Sequence, residues 1–148
     1  MLRGYSFHSI DPKGRIIIPA RFRDVIQNDG DNSVMVTQLD GSLWGYPLKR
    51  WTEVENLIMN RPNKTESMRR FRRVFVGGAS HCACDKQDRI LIPPALRQYA
   101  QLEKDIVIVG VLDHFEIWSR ANWDREHQYL AEDMKKEAVR EEIAELGL

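Results

Sequence analysis

Two short segments of the chain place an arginine four residues after an aspartate, as Asp11 to Arg15 and again as Asp85 to Arg89. An aspartate that begins a turn accepts hydrogen bonds from backbone N–H groups ahead of it, and it can also orient the arginine. Arginine binds guanine O6 and N7 with two hydrogen bonds, and lysine neutralises phosphate. Four basic residues in these segments are therefore candidates for nucleic-acid contact: Lys13, Arg15, Lys86 and Arg89.

The alternative interpretation of these side chains is that they are ordinary solvated turn charges, which is the more common case for a single turn. The chain, however, contains the segment twice, because residues 11–23 recur as residues 85–97 at a constant offset of 74. Farther along, residues 34–40 match residues 107–113 at an offset of 73. The sequence thus contains two similar halves, and turn chemistry alone does not require arginine at the same place in both.

Each half is predicted to begin with a β-hairpin around its Asp-x-x-x-Arg turn. Asp11, Pro12 and Gly14 occupy positions that a type I turn favours, and Gly14 can adopt a positive φ without strain. The β-branched run at 16–18 then forms a strand. Further elements follow from periodicity and capping residues: helices near 20–27, 48–60, 65–76 and 94–100, strands near 34–39, 43–46, 90–92, 106–110 and 115–118, and one helix from Ser119 to about Leu146 with a single apolar stripe.

The 148 residues carry 22 basic and 22 acidic side chains, so the net charge is zero and a strongly basic total does not argue for nucleic-acid binding. The charge is nevertheless segregated along the chain. Residues 1–23 hold five basic residues against one acidic residue, and residues 61–73 hold six against one. Residues 124–148 hold four basic against eight acidic residues. No apolar run resembles a signal peptide or a membrane span, so we expect a cytoplasmic protein without membrane contact.

Cys82 and Cys84 are predicted to be free thiols on one face of a strand, because a disulfide across one intervening residue would be strained. Together with His81 they form the only group for which a metal could be argued, and no second Cys/His pair follows at the spacing of a zinc site. The motifs GxSxG and HExxH and a phosphate-binding glycine loop do not occur. We therefore predict no catalytic residue, no metal and no cofactor.

Three further groups of arginines have more than one interpretation. Arg23 and Arg97 are predicted to end short helices, where they complement the helix dipole and could bond terminal carbonyls. We favour this structural role for them over DNA contact. The run at 69–73 places four arginines around Phe71, and contact with the DNA backbone, contact with another subunit and a solvated surface all stay open for it.

At these residues the sequence resembles the MraZ family of bacterial transcriptional regulators. The resemblance covers nearly the whole chain, and it includes both Asp-x-x-x-Arg segments and the stretch at 110–118. It implies an α+β fold of two tandem AbrB/SpoVT-like repeats of the swapped-hairpin barrel type, which form an intrachain pseudo-dimer followed by a C-terminal helix. The expected organisation is a first repeat at 1–60, a linker helix at 61–78, a second repeat at 79–123 and the C-terminal helix at 124–148.

The resemblance also implies a ring-shaped homo-oligomer that binds double-stranded promoter DNA at short G-rich direct repeats upstream of the division and cell-wall gene cluster. In that case the protein is nucleoid-associated, acts on no small-molecule substrate and contacts DNA through the two turns. Asp11, Gly14 and Asp85 would then shape the turns and orient their arginines. Two other classes stay open: a metal-dependent enzyme using His81, Cys82 and Cys84, and a ring scaffold for a protein that docks on the acidic tail.

The second turn departs from the family pattern. The family usually has glycine before the second arginine, and this chain has Asp88. Aspartate tolerates the left-handed backbone that the turn needs. Its carboxylate is nevertheless expected to repel phosphate and to pair with Arg89. Lys13 in the first turn corresponds to Gln87 in the second, so the two turns are not expected to contact DNA equally.

Overall fold

A computed structural model describes residues 1–28, 31–62 and 64–148, and its fold is α+β. Positions 29 and 30 of the predicted first repeat and position 63 of the predicted linker lie outside the described residues. The strands are β1 (Leu2–Ser9), β2 (Arg15–Ile17), β3 (Ser33–Leu39), β4 (Ser42–Pro47), β5 (Ser80–Ala83), β6 (Arg89–Leu91), β7 (Asp105–Leu112) and β8 (Phe115–Ser119). The helices are α1 (Ala20–Asn28), α2 (Leu48–Met59), α3 (Glu66–Phe75), α4 (Pro94–Tyr99), α5 (Arg120–Asp133) and α6 (Glu137–Glu145).

The two halves exchange strands within an antiparallel sheet of order β1-β7-β8-β4-β3-β5. This order is symmetric, because β1 at one edge pairs with β7 of the second half, and β5 at the other edge pairs with β3 of the first half. The strands β4 and β8 meet at the centre, where Leu43 lies opposite Ile117. The predicted fold class, two tandem repeats that form an intrachain pseudo-dimer, is confirmed.

The local hairpin predicted around each Asp-x-x-x-Arg turn is wrong in its pairing. β2 pairs with β6 of the other half, in a two-stranded antiparallel ribbon that places Arg15 opposite Leu91 and Ile17 opposite Arg89. The physical reason is burial, since an isolated two-stranded hairpin is only marginally stable in water. Exchange between the halves lets one shared core support both turns.

Backbone hydrogen bonds also tie each turn to the opposite half. The Ile92 N–H donates to the carbonyl of Gly14 at 2.9 Å, and the Ile18 N–H donates to the carbonyl of Asp88 at 2.8 Å. These two bonds are related by the offset of 74 that the sequence repeat shows. The position of each turn therefore depends on residues from both halves of the chain.

Apolar residues that are 74 positions apart in the two halves form the core beneath the ribbon. Its central members are Ile16, Ile18 and Phe22 from the first half and Ile90, Ile92 and Leu96 from the second. Burying a side chain of this size stabilises the fold by about 1.5–3 kcal/mol relative to leaving it exposed. Because Ile16 and Ile90 face this core, the residues before and after them on each strand face outward.

A second apolar cluster lies on the other face of the six-stranded sheet, beneath α2 and α3. Along β3, Val34 and Val36 belong to the first core, whereas Met35 and Leu39 pack into the second cluster, as strand alternation requires. Phe75 of α3 is buried in the second cluster. The sheet therefore separates α3 from the ribbon that carries the two turns.

Side-chain caps begin two of the helices where the sequence predicts them to begin. The hydroxyl of Thr65 accepts the Met68 N–H at 3.1 Å before α3. The hydroxyl of Ser119 accepts the Asn122 N–H at 3.1 Å before α5. Each cap satisfies one of the N–H groups that a helix N-terminus leaves without an intrahelical partner.

The single helix predicted at the C-terminus is divided into α5 and α6. Lys136 lies between them with an extended backbone of φ −88° and ψ 127°. The apolar stripe changes phase at the same place, because Met134 and Val139 are five residues apart and one helical turn takes 3.6 residues. Among the described residues, every helix is too short or too polar to cross a membrane.

A partly buried charged network around His114 connects α2 with the loop between β7 and β8. His114 hydrogen-bonds Asp113 through Nδ1 and Glu116 through Nε2, each at 2.8 Å. Its ring stacks on Trp44 with a centroid distance of 4.0 Å, and Arg50 of α2 donates its Nε–H to Asp113 at 2.8 Å. Burial opposes the charged imidazole, but the hydrogen bonds to Glu116 and Asp113 outweigh it and raise the pKa of His114.

Candidate nucleic-acid interface

Turn 1, which comprises residues 11–15, is closed by the side chain of Asp11. Its Oδ1 accepts the backbone N–H groups of Lys13 at 3.0 Å and Arg15 at 2.8 Å, and its Oδ2 accepts the Arg15 Nε–H at 2.6 Å. The backbone hydrogen bond from Arg15 is the largest influence on Asp11 and lowers the pKa of its carboxyl group. The carboxylate is therefore charged at neutral pH and holds the arginine against the turn.

Turn 2, which comprises residues 85–89, repeats this geometry. Asp85 accepts the backbone N–H groups of Gln87 and Arg89, both at 2.9 Å, through Oδ1. Its Oδ2 accepts the Arg89 Nε–H at 2.9 Å. The backbone hydrogen bond from Arg89 lowers the pKa of Asp85, as Arg15 does for Asp11. Each Asp-x-x-x-Arg segment is thus a closed unit in which the aspartate both forms the turn and positions the arginine.

The ribbon brings the two arginines to one surface. Four side chains share its outward face: Arg15 and Ile17 from β2, and Arg89 and Leu91 from β6. Ile17 is 49% exposed and Leu91 is 57% exposed, so this face also presents apolar groups between the arginines. Sequence reasoning missed Ile17 and Leu91 as surface residues, and their alternation with buried isoleucines is the signal that could have found them.

The remaining predicted contact residues and the turn glycine lie at the ends of this ribbon. Lys13 in turn 1 and Lys86 in turn 2 are both exposed. Gly14 has φ +88°, the left-handed conformation that favours glycine. The structure therefore brings Lys13 together with Arg15 at one end of the ribbon and Lys86 together with Arg89 at the other.

The terminal nitrogens of the two arginines have different surroundings. The Arg89 Nη2 donates to the Oε1 of Gln87 in a short hydrogen bond. Lys13 occupies the corresponding position in turn 1, and its side chain carries donors only. Within residues 1–28, 31–62 and 64–148, Arg15 makes its side-chain hydrogen bond through Nε alone. We call the two terminal nitrogens of an arginine, Nη1 and Nη2, its fork. The Arg15 fork is therefore free for a contact of two hydrogen bonds, whereas one nitrogen of the Arg89 fork already donates to Gln87.

The expectation that Asp88 pairs with Arg89 is wrong. Asp88 has φ +60°, and its carboxylate meets Arg23 of α1 with an Nη1–Oδ2 distance of 3.3 Å. Arg23 also donates its Nε–H to the Ile18 carbonyl at 3.1 Å, so it lies near the start of α1 and does not end that helix as predicted. Asp88 therefore neutralises an arginine of the first half, and it leaves Arg89 to Asp85 and Gln87.

Arg97 of α4 takes the equivalent place over turn 1. A Cβ atom at position 14 would lie 2.7 Å from Cζ and 2.8 Å from both Nε and Nη1 of Arg97, so the guanidinium group lies over Gly14. No carboxylate stands at position 14 to receive it. Among the described residues the buried Arg97 Nε has no hydrogen-bond partner. Equivalent arginines of the two halves thus differ, because Arg23 forms an ion pair at turn 2 and Arg97 makes an unpaired contact at turn 1.

Cys82 and Cys84 are free thiols, and Cys82 is buried in the first core. Burial is the main reason that the pKa of Cys84 is raised to about 11, and Asp88 and Asp85 add to it. Cys84 is therefore protonated at neutral pH, which disfavours a role as a nucleophile. In the part of the chain that the structure describes, no group of three or more His, Cys, Asp or Glu side chains could hold a metal ion.

The basic run on α3 lies away from the two turns. Arg69 pairs with Glu66 at 2.8 Å, and Arg72 and Arg73 are exposed on the opposite side of the six-stranded sheet from the ribbon. Phe71 packs against the second apolar cluster and orients this helix. One straight DNA segment that lies on the ribbon would not reach this surface of the same chain. The α3 arginines are therefore separate from the candidate interface.

The fold and these turns define a class of protein: a tandem-repeat pseudo-dimer that presents two aspartate-held arginines on a cross-repeat β-ribbon. A family model described as "MraZ protein, putative antitoxin-like" matches residues 1–74 and 75–144 of the chain. Together these two matches cover nearly all of it. The chain belongs to the MraZ family.

Curated relatives agree with this assignment over their full length. The chain is 57% identical over 148 residues to "Transcriptional regulator MraZ" of Desulforapulum autotrophicum, with all of both chains covered. It is 51% identical to the protein of the same name from Desulfosudis oleivorans, again with both chains fully covered. The corresponding protein of Caldicellulosiruptor saccharolyticus is 40% identical over 148 residues, which is all of both chains.

Proposed function

We propose that this member of a family of transcriptional regulators binds double-stranded DNA sequence-specifically through turns 1 and 2, without catalysing a reaction. The contact residues are Lys13, Arg15, Lys86 and Arg89. The target is a set of short G-rich direct repeats in the promoter of the division and cell-wall gene cluster. The protein acts there as a ring-shaped homo-oligomer associated with the nucleoid, with no small-molecule substrate and no cofactor.

The observation that carries this proposal is the common orientation of Arg15 and Arg89 on the outward face of the β2–β6 ribbon. A two-stranded ribbon fits the major groove, and arginine is the side chain that most often reads guanine there. Asp11 and Asp85 hold the Nε atoms, so less conformational entropy is lost when the terminal nitrogens bind a base. Lys13 and Lys86 stand beside these arginines and are suited to phosphate.

Exposed apolar side chains support the part of the proposal that concerns assembly of several chains. Tyr5 and Phe7 on the edge strand β1 are 53% and 55% exposed, and Tyr129 and Leu130 on α5 are 58% and 57% exposed. These apolar side chains supply surface that another chain could cover. One chain offers two turns, whereas an oligomer offers many, and linked binding sites raise the overall affinity through effective concentration. Repeated DNA sites suit repeated subunits for this reason.

The test is a binding-site selection on random duplex DNA, followed by footprinting upstream of the protein's own gene. Affinity for the selected operator and for a scrambled duplex of equal length is then measured from 50 to 300 mM KCl. We expect a preference for the operator that persists with competitor DNA. The slope of log K against log salt should be about −0.9 for each phosphate engaged.

Equal affinity for the two duplexes, or a slope near zero, would contradict DNA recognition and favour the scaffold interpretation. Sedimentation at micromolar protein without DNA tests the ring separately. A single species at the 17.3 kDa mass of one chain would contradict assembly while leaving the DNA contacts open.

A further inference from the structure

Arg97 lies near the ribbon. Among the described residues there, it is the arginine whose side chain makes neither a hydrogen bond nor an ion pair. Its guanidinium lies over Gly14 in turn 1, although Arg97 itself belongs to α4 of the second half. An arginine with a buried, unsatisfied Nε is costly unless a partner completes it when the protein functions. A DNA phosphate beside turn 1 would be such a partner for the group as a whole: it does not reach the buried Nε, but it binds the terminal Nη atoms and compensates the charge of the same guanidinium.

The opposite turn shows what happens when a partner is present. Arg23 occupies the equivalent position over turn 2, and there Asp88 and the Ile18 carbonyl accept its hydrogens. Position 14 has no side chain, so turn 1 cannot satisfy Arg97 in the same way. The difference between Gly14 and Asp88 therefore leaves the arginine over turn 1 uncompensated and neutralises the arginine over turn 2. The backbone at both positions is left-handed.

We propose that Arg97 is a third DNA-contact residue of turn 1, where it binds a backbone phosphate beside Lys13 and Arg15, and that Asp88 withholds the equivalent Arg23 from DNA at turn 2. This inference rests on the proposed DNA-binding function. It makes turn 1 a composite surface, because two of its cations come from the first half and the third comes from the second half. It also assigns Asp88 the role of reducing the affinity of turn 2.

The position of Arg97 suits phosphate better than a base. The guanidinium lies over the turn backbone at the end of the ribbon, whereas Arg15 projects from the outward face that would enter the groove. An open cleft of about 400 Å³ adjoins it, lined by residues of turn 1 and of the segment after α4 that include Pro12, Leu102 and Lys104. The Nη atoms are therefore not enclosed by protein on that side.

The experiment compares Arg97→Gln with the control double variant Arg23→Gln/Asp88→Asn, which removes the ion pair of turn 2 without changing its net charge, in the full-length protein. The readouts are operator affinity and the salt slope, with circular dichroism and sedimentation as checks of fold and assembly. We expect Arg97→Gln to reduce the magnitude of the slope by about 0.9 for each subunit whose Arg97 engages a phosphate. The double variant Arg23→Gln/Asp88→Asn should leave affinity and slope close to those of the unmodified protein, because the cation and the anion that it removes already compensate each other.

Two further variants distinguish charge from packing. Arg97→Lys keeps the charge and should keep most of the slope, so an equal loss in Arg97→Lys and Arg97→Gln would assign Arg97 a packing role and overturn the inference. Asp88→Gly should raise affinity, and adding Arg23→Gln to it should remove that gain. If Asp88→Gly weakens binding in an intact oligomer, the role assigned to Asp88 is wrong.

The two proposals fail in different ways. If the unmodified protein shows no preference for the operator, the proposed function itself is contradicted. If the unmodified protein binds its operator but Arg97→Gln binds it with the same affinity and slope, only the inference about Arg97 is overturned.

Discussion

Turns 1 and 2 share a backbone and differ in the charges around it. Both are closed by an aspartate that accepts two backbone N–H groups and the Nε–H of the arginine four residues on. They differ at all three positions between the aspartate and the arginine, which are Pro12, Lys13 and Gly14 in turn 1 and Lys86, Gln87 and Asp88 in turn 2. A duplicated segment can therefore keep the turn geometry that presents an arginine. The residues beside that arginine then determine how many of its nitrogens are free to bind DNA.

Two of these differences act through contacts that the structure shows. Gln87 occupies part of the Arg89 fork, whereas Lys13 cannot accept a hydrogen bond from Arg15. Asp88 compensates Arg23. All of these contacts favour turn 1 as the stronger DNA-contact element, so substitutions in turn 1 should weaken DNA binding more than the equivalent substitutions in turn 2.

The largest effect is expected from Arg15→Ala, compared with Arg89→Ala. Losing a two-bond contact to a base costs about 1–3 kcal/mol per site, and an oligomer that uses many turns multiplies the loss. Arg15→Ala should therefore nearly abolish specific binding, and Arg89→Ala should cost clearly less. The measurement is the ratio of affinities for the operator and a scrambled duplex, by fluorescence anisotropy at one fixed salt concentration.

Both variants should retain the fold, because each arginine is partly exposed and its ion pair with an aspartate contributes little stability at the surface. Thermal unfolding and sedimentation serve as controls. If Arg89→Ala proves the more damaging change in an intact oligomer, the ranking of the two turns is reversed and the free fork of Arg15 is not the deciding feature.

The second prediction converts turn 1 toward turn 2 by Gly14→Asp. Aspartate is accommodated at φ +60° in turn 2, and at position 14 it would displace the flexible end of Arg97 and pair with it. The added anion compensates the charge of Arg97 at turn 1, so operator affinity should fall by about tenfold at low salt and by less at high salt. Gly14→Asn, which has nearly the same shape without the charge, is the matched control.

The fold illustrates which features the sequence predicts. The offset of 74 identifies the equivalent buried residues correctly, since Ile16 and Ile90 are both fully buried and lie opposite each other in the ribbon. The same offset does not tell which strand pairs with which, because a hairpin within each half and an exchange between halves bury the same isoleucines. Local turn preferences favour the hairpin within each half. The shared core instead stabilises the pairing of β2 with β6 of the other half.

The site shows the same limit at the level of single contacts. The hydrogen bonds of Asp11 lie within five residues, and turn chemistry is enough to expect them. The contact of Arg97 with Gly14 and that of Arg23 with Asp88 join residues about 65 to 83 positions apart, and they exist only because the halves are exchanged. The sequence therefore predicts the turn, and the fold determines which distant arginine lies against it.

The third prediction exchanges Lys13 and Gln87 between the turns. Lys13→Gln removes a cation and introduces an acceptor for the Arg15 fork, so affinity and the magnitude of the salt slope should both fall, the slope by about 0.9 per phosphate lost. Gln87→Lys should act in the opposite direction by freeing Arg89 and adding a cation. Salt titrations of both single variants and of the double variant measure this. If the two single variants change affinity in the same direction, the role assigned to position 87 is contradicted.

His114→Gln should have no effect on DNA binding. The variant tests a difference between the two halves that lies away from both turns. His114 lies in the loop between β7 and β8, and the corresponding loop of the first half has Gly41 in its place. Asp113 and Glu116 face the imidazole from its own loop and strand, Trp44 stacks on it from β4, and Arg50 reaches Asp113 from α2. Burial opposes the charged imidazole, but the two carboxylates stabilise it and raise the pKa of His114 in the folded protein.

Because the pKa of His114 is raised on folding, its contribution to stability is complete below its unfolded value of about 6.5 and is lost as pH rises through the folded value. His114→Gln should therefore lower the free energy of unfolding by about 1–3 kcal/mol at pH 6, as expected for the loss of buried hydrogen bonds to charged groups, and by less at pH 9. Urea unfolding of both proteins at several pH values measures this difference, and operator affinity at pH 7.5 should be unchanged. A difference that stays constant or grows with rising pH would mean that the folded protein holds this histidine neutral, and the network would then stabilise the loop by packing and neutral hydrogen bonds alone.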